Sequence, residues 1–258
     1  MDTGFLNILG VRIHPINIPI VILKINDLIQ SGKKGYIILT TVHGIMESQR
    51  SLKVKAAYNH SFLTVPDGMP LIYIGKLFGH PKISRCYGPD LMLAVMDASV
   101  IKGYTHFLYG GKEGISQELK HVMQSKFPEI KIVDTYTPPF GPLNENEKKY
   151  LIERVHHLKP NIIWVGLGAP KQEMFMHEYL PLLDTNLMIG VGAAFDFNTG
   201  QIKSAPSWLQ KMALEWIYRL AQEPKRLWKR YLLNNPLFLW NFALQTLKIK
   251  KYEIEKLK

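Results

Sequence analysis

Asp67 stands between Pro66 and Gly68, directly after the apolar run Phe62-Leu63-Thr64-Val65. A carboxylate held at a strand end can take a proton from an attacking sugar hydroxyl, which is general-base chemistry. The same Pro-Asp-Gly also suits a plain turn in which the aspartate bonds its own backbone. Arg85 precedes Cys86-Tyr87-Gly88-Pro89-Asp90, and Pro89 fits the first position of a helix. A guanidinium near a helix start can clamp a diphosphate or hold a surface ion pair. Gly110-Gly111 and Gly166-Leu167-Gly168 each follow an apolar run and open a helical pattern. Such turns bring backbone N–H groups to a phosphate, or need glycine for backbone conformation alone. Lys171, in Lys171-Gln172-Glu173, opposes the dipole of the helix it starts, so it answers a ligand anion or sits in solvent. Thr40-Thr41-Val42-His43 and Gly192-Ala193-Ala194-Phe195-Asp196 are the remaining polar groups placed after apolar runs.

The elements that must position these residues alternate. Strands are expected at 36–40, 62–65, 106–109, 130–133, 162–165 and 187–189. Helices are expected at 44–58, from Pro89 to about residue 102, from Gly111 to about residue 127, at 145–158 with Asn144 as N-cap, and from near Pro170. Near-continuous apolar strands between helices imply an α/β fold, a Rossmann-like parallel sheet with helices on both faces. Ligands of such sheets bind at the carboxyl ends of the strands, where the residues above cluster.

Charge divides the chain unevenly. The net charge is +11 over 258 residues. Residues 203–258 hold twelve lysines and arginines against four glutamates, interleaved with Trp208, Trp216, Trp228, Tyr231, Phe238 and Trp240. Cations and aromatics mixed on helices suit an anionic surface with an apolar interior, a bilayer. A solvated helix pair or non-specific phosphate binding would also use them. The organisation expected is a catalytic core, 1–203, and a basic, aromatic-rich helical appendage, 204–258. Within it, 206–222 reads as one amphipathic helix carrying Trp208, Leu209, Met212, Trp216, Ile217 and Leu220.

Other classes are disfavoured. The single Cys86 allows no internal disulfide and fits a reducing compartment. No signal peptide is apparent, and no apolar run reaches the roughly 20 residues of a spanning helix. The expectation is a cytoplasmic protein, peripheral on the inner face of the plasma membrane. G-x-G-x-x-G, a P-loop, G-x-S-x-G, Asp-x-Asp and zinc-spaced Cys/His clusters are all missing, and the adjacent His156-His157 cannot share a helix face. Metal-free group transfer, with no cofactor, fits this set.

Several blocks together resemble the WecG/TagA/CpsF glycosyltransferases. They are Pro66-Asp67-Gly68-Met69-Pro70, Arg85-x-x-Gly88-x-Asp90-Leu91-Met92, Tyr109-Gly110-Gly111, the run from Val165 to Glu173, and Gly190 to Asp196. Pro206-x-Trp208 and Glu215-Trp216-x-x-Arg219-Leu220-x-x-Glu223-Pro224-x-Arg226 continue the likeness over nearly the whole chain. The resemblance implies inverting, metal-independent transfer from a UDP-sugar to a polyprenyl-diphosphate-linked saccharide. It implies Asp67 as general base, Arg85 at the departing diphosphate, and Gln172 in the substrate pocket. Arg219 and Arg226, with Arg230 beside them, are expected at the lipid diphosphate and membrane. Thr40, Thr41, His43, Gly110, Gly111, Gly168, Lys171 and Asp196 complete the expected substrate contacts. The teichoic-acid branch carries Thr-x-Asn at the first strand end, where Thr41 stands opposite the Asn. That departure points to an exopolysaccharide or capsule enzyme with a different hexose or uronic acid donor.

Two rivals differ in class. A nucleotide-dependent oxidoreductase or epimerase needs a glycine fingerprint and an acidic ribose partner. A nucleic-acid or nucleotide-binding module leaves Asp67 and the glycine turns unexplained, and no nucleic-acid partner is expected. The appendage aromatics suit a second subunit, in a homo-oligomer, as well as lipid.

Overall fold

The computed structural model describes residues 4–206, 208, 209, 212 and 214–254. The chain opens with a hairpin, β1 (Leu6–Ile8) and β2 (Val11–Ile13), turned by Leu9 and Gly10. Both turn residues have positive φ, 52° and 76°, the requirement of a tight hairpin turn. Helix α1 (Ile18–Gln30) follows, with the Asn17 side chain accepting from the Ile20 N–H at 3.2 Å. The body of the fold then runs β3 (Gly35–Thr40), α2 (Val42–Arg50), α3 (Leu52–Asn59), β4 (Leu63–Pro66), α4 (Met69–Leu77), α5 (Gly88–Lys102) and β5 (Thr105–Gly110). It continues through α6 (Ile115–Lys126), β6 (Lys131–Tyr136), α7 (Glu145–Leu158), β7 (Ile162–Gly166), α8 (Lys171–Tyr179), β8 (Leu187–Gly190) and α9 (Ala194–Asn198).

The six strands β3 to β8 form one parallel sheet in the order β4-β3-β8-β7-β5-β6. The fold class expected from the sequence is thus present, and every expected strand lies in it. The strands are apolar on both sides because both faces are covered. Helices α1, α5, α6 and α9 cover one face. The hairpin, α2, α3, α4, α7 and α8 cover the other.

Two expectations need correction. The helix expected over 44–58 is two helices, α2 and α3. Ser51 breaks it in extended conformation (φ −142°, ψ 117°), and its hydroxyl accepts from the Val54 N–H to start α3. The helix expected over 206–222 is not continuous either. Leu214 (φ −99°, ψ 6°) stands outside α10 (Glu215–Gln222) as its N-cap, and Lys211, with Ser207, Gln210 and Ala213, lies outside the described residues. The hairpin, α1 and α4 carry weaker signals and were not expected.

After α10 come α11 (Pro224–Trp228), a π-helical segment (Lys229–Leu233) and α12 (Asn234–Thr246). Phe238 of α12 is buried in the second core, and α12 packs against α2. Gln245 ties α12 to the hairpin: its Nε2 donates to the Asn7 carbonyl at 2.9 Å, and its Oε1 accepts from the Leu9 N–H at 2.8 Å. The last helix therefore packs against the hairpin.

Candidate active site

The helix after β3 leaves on one face and the helix after β8 on the other, so the carboxyl ends of these neighbours frame a crevice. Thr41 stands on one side of it and Gly192 on the other. Beside it, at the end of β4, the Asp67 and Gly68 N–H groups both donate to the Thr40 carbonyl, at 2.9 and 3.2 Å. Asp67 is thereby fixed at the sheet edge, not left in a free loop.

Arg85 joins two carboxylates from distant parts of the chain. Its Nε donates to the Asp67 carbonyl at 2.7 Å and to Asp67 Oδ1 at 3.1 Å. Its Nη1 donates to Glu215 Oε2 at 2.6 Å, so the first residue of α10 is locked onto the strand end. The guanidinium lies 4.2 Å from the centre of the Tyr87 ring, a cation–π stack. Burial opposes the charge on Arg85, but Asp67 and Glu215 outweigh it and raise its pKa. Burial pushes the Asp67 carboxyl up from its ordinary value; Arg85 pulls against that shift and Glu215 adds to it. A carboxylate with raised pKa is a stronger base, as proton abstraction requires.

These groups line a cavity of about 150 Å³ between the strand ends and the C-terminal helices. Its wall includes Thr41, His43, Asp67, Gly68, Met69, Pro70, Arg85 and Tyr87 from the core, and Glu215, Trp216, Arg219, Arg230, Tyr231 and Asn235 from beyond residue 214. Three arginines around one small space make an anion receptor. Arg219 lies 3.9 Å from Glu223 and over the Phe197 ring. Arg230 Nη2 reaches Thr41 Oγ1 at 3.5 Å.

His43 is held neutral. Burial, and then Arg230 and Arg50, lower its pKa to about 4. Asn234 Nδ2 lies 3.0 Å from its Nδ1, and the Asn234 Oδ1 accepts from Arg50 at 2.7 Å, which orients the amide. The Ala169 backbone opposes the shift in the His43 pKa and raises the value slightly.

Gln172 serves the edge from beneath. It is buried, and its Oε1 accepts from the N–H of Gly168 at 3.2 Å and of Gly192 at 2.9 Å. One amide therefore sets the turns after both β7 and β8. Its Nε2 donates to Glu173 Oε1 at 3.1 Å. Glu173 is fully buried, its Oε2 has no partner, and burial raises its pKa to about 7.

Of the residues singled out by sequence, Thr41, His43, Asp67, Arg85, Arg219 and Arg230 meet in the cavity. Thr40 is fully buried under it. Gly110, Gly111 and Gly168 lie along the same edge at the ends of β5 and β7, outside the cavity lining. Gly110 has φ +116°, and a Cβ there would meet the Gly166 backbone at 2.8 Å. Lys171 stands over the exposed Phe140 ring at 4.7 Å. Asp196 lies in α9, where its carbonyl accepts from the Ile202 N–H. Arg226 falls in α11, but its side chain lies outside the described residues. Sequence reasoning missed Glu215 and Tyr87 as site residues. The Glu215 signal was its place in the quoted Glu-Trp-x-x-Arg block.

The family model "Glycosyl transferase WecG/TagA/CpsF family" matches residues 6–252. A curated relative from Bacillus spizizenii, an N-acetylglucosaminyldiphosphoundecaprenol N-acetyl-β-D-mannosaminyltransferase, is 30% identical over 200 residues, 77% of this chain and 76% of the relative. A protein of the same name from Bacillus subtilis is 32% identical over 187 residues, 72% of this chain and 69% of that protein.

Proposed function

The chain belongs to the WecG/TagA/CpsF family of glycosyltransferases, and on that premise we propose that it glycosylates a lipid-linked saccharide during cell-surface polymer synthesis. The acceptor we propose is N-acetylglucosamine on a polyprenyl diphosphate, the acceptor in the names of both relatives. The donor is a UDP-sugar and the transfer inverts the anomeric carbon. One observation carries the reading: Asp67, raised in pKa, shares a cavity with three arginines.

In this scheme Asp67 Oδ accepts the proton of the acceptor hydroxyl as its oxygen attacks the anomeric carbon. The bond from that carbon to the UDP oxygen breaks on the opposite side, and the diphosphate leaves with the electron pair. Arg85, Arg219 and Arg230 stabilise the charge there, the role a divalent cation plays in other transferases. Gln172 holds the Gly168 and Gly192 turns in place along the donor path. The cavity is smaller than the roughly 300–1,000 Å³ of typical ligand clefts. The nucleotide therefore extends along the sheet edge towards those glycines.

The relatives' names put N-acetylmannosamine first among donors. The Thr41 hydroxyl, engaged by Arg230, supports a changed sugar contact. A panel of UDP-N-acetylmannosamine, UDP-N-acetylglucosamine, UDP-glucose and UDP-glucuronate therefore tests the reading, with a short-chain polyprenyl-diphosphate N-acetylglucosamine acceptor and EDTA. Acceptor-dependent UDP release is expected from one donor. Asp67→Asn should lower that rate at least a hundredfold while folding normally. An unaffected Asp67→Asn rate removes the base, and loss of release with EDTA removes the metal-free scheme.

A further inference from the structure

Helix α4 begins in the active-site wall and leaves it along an apolar, exposed stripe. Met69 and Pro70, its first residues, line the cavity. Met69, Tyr73 and Leu77 recur every four residues and so share one face, about 12 Å long. Tyr73 is 51% exposed, Leu77 80%, and Phe78, which caps the helix, 49%. The opposite face explains the helix: Leu71, Ile72 and Gly75 are buried, and a Cβ on Gly75 would meet Ile83 at 2.5 Å. Nothing in that packing requires the outer stripe to be apolar, and a contiguous exposed apolar surface marks an interaction site.

We infer that the outer face of α4, in the core, is a membrane-contacting surface that sets the mouth of the active site against an anionic bilayer. The inference rests on the lipid-linked acceptor proposed above and adds a second lipid contact, separate from the basic appendage. Charge selects the occupant. Between Asp67 and Asp90 the sequence holds Lys76, His80, Lys82 and Arg85 and not one acid. Lys76, on α4 itself, and Lys82 are both exposed. Cations flanking aromatic and aliphatic groups suit anionic headgroups over acyl chains. A second copy on a two-fold axis would instead bring two such cationic, acid-free rims to one interface. The stripe also continues: the Phe78 ring meets Phe242 of α12 at 6.1 Å, edge to face, and α12 exposes Leu237, Leu239 and Trp240. A hydroxyl delivered by a lipid thus reaches Asp67 from the α4 end.

The chain's one cysteine, Cys86, is fully buried, so an added surface thiol can be labelled selectively. Leu77→Cys would carry an environment-sensitive fluorophore in the full chain. Ile101→Cys, 88% exposed at the end of α5 on the opposite face of the sheet, is the control. With phosphatidylglycerol vesicles and no donor or acceptor, the probe at 77 should brighten several-fold and shift to the blue, while the probe at 101 stays unchanged. Leu77→Glu should weaken partition to these vesicles about tenfold. In detergent-free buffer it should leave transfer to a water-soluble, short-chain acceptor intact. An unresponsive probe at 77, equal responses at both positions, or unchanged partition of Leu77→Glu would each overturn the inference. A response at 77 that grows with protein concentration in the absence of lipid would assign the face to a second copy instead. Because vesicle binding is read without turnover, it succeeds or fails independently of the transfer assay.

Discussion

Arg85 shows what the site asks of individual residues. Burial raises the Asp67 carboxyl, Arg85 pulls against that shift, and Glu215, which shares the Arg85 guanidinium, adds to it. Glu215→Gln keeps the size but removes the charge that adds to the effect of burial on Asp67. The acid limb of kcat/KM should then move to lower pH, with a rate loss of roughly tenfold as Arg85 loses its anchor. An unmoved acid limb would mean that Glu215 does not act on Asp67. Glu173 gives a cleaner linkage. In the unfolded chain it ionises from about 4.5, but in the native state not until about 7. Between those values the native state holds a proton that the unfolded chain has lost, so stability falls as pH rises through the window. Glu173→Gln escapes this penalty. Its advantage over wild type should be near zero at pH 4 and about 3 kcal/mol at pH 8, measured by denaturant unfolding. Protonation of His43 at low pH occurs in both proteins and cancels. Asp67 and Arg85 were legible because they follow an apolar run or precede a helix start. The pairing of Arg85 with Glu215, 130 residues away, carries no local pattern.

At the scale of elements, the α2–α3 pair sets the entrance of the crevice. The two helices pack so closely that a Cβ on Gly44 would lie 2.0 Å from the Tyr58 hydroxyl, and Tyr58 is fully buried. In an exposed helix Gly→Ala would stabilise by about 1 kcal/mol. Here Gly44→Ala should destabilise by about 1–3 kcal/mol through overpacking, and adding Tyr58→Phe should recover part of the loss. A raised melting temperature for Gly44→Ala would refute the close packing. The break between α2 and α3 was hidden from periodicity, because 44–58 keeps apolar residues at helical spacing on both sides of Ser51. The π segment that brings Arg230 to Thr41 was likewise invisible, since one extra residue in a turn barely alters the hydrophobic pattern. The strands, short and apolar throughout, were legible because burial on both faces removes polar alternation.

For the whole molecule, the C-terminal helices complete the candidate site: six of the cavity residues come from beyond residue 214. No helix among the described residues is long and apolar enough to cross a membrane. With Trp208, Ile217, Trp228 and Trp240 exposed, the membrane contact proposed for 204–258 predicts slower proteolysis there in the presence of anionic vesicles. Equal cleavage with and without vesicles would count against it. The sequence by itself determined the strand–helix alternation, the family, the basic C-terminal segment and the polar residues placed at strand ends. Those depend on spacing along the chain, which local periodicity records. Only the tertiary structure decided that β3 lies between β4 and β8, that Glu215 closes on Arg85, that Gln172 fastens two turns at once, and that α4 turns an apolar face outward. Each of these depends on which distant segments pack together, and packing follows the balance of burial, charge and backbone hydrogen bonds over the whole chain.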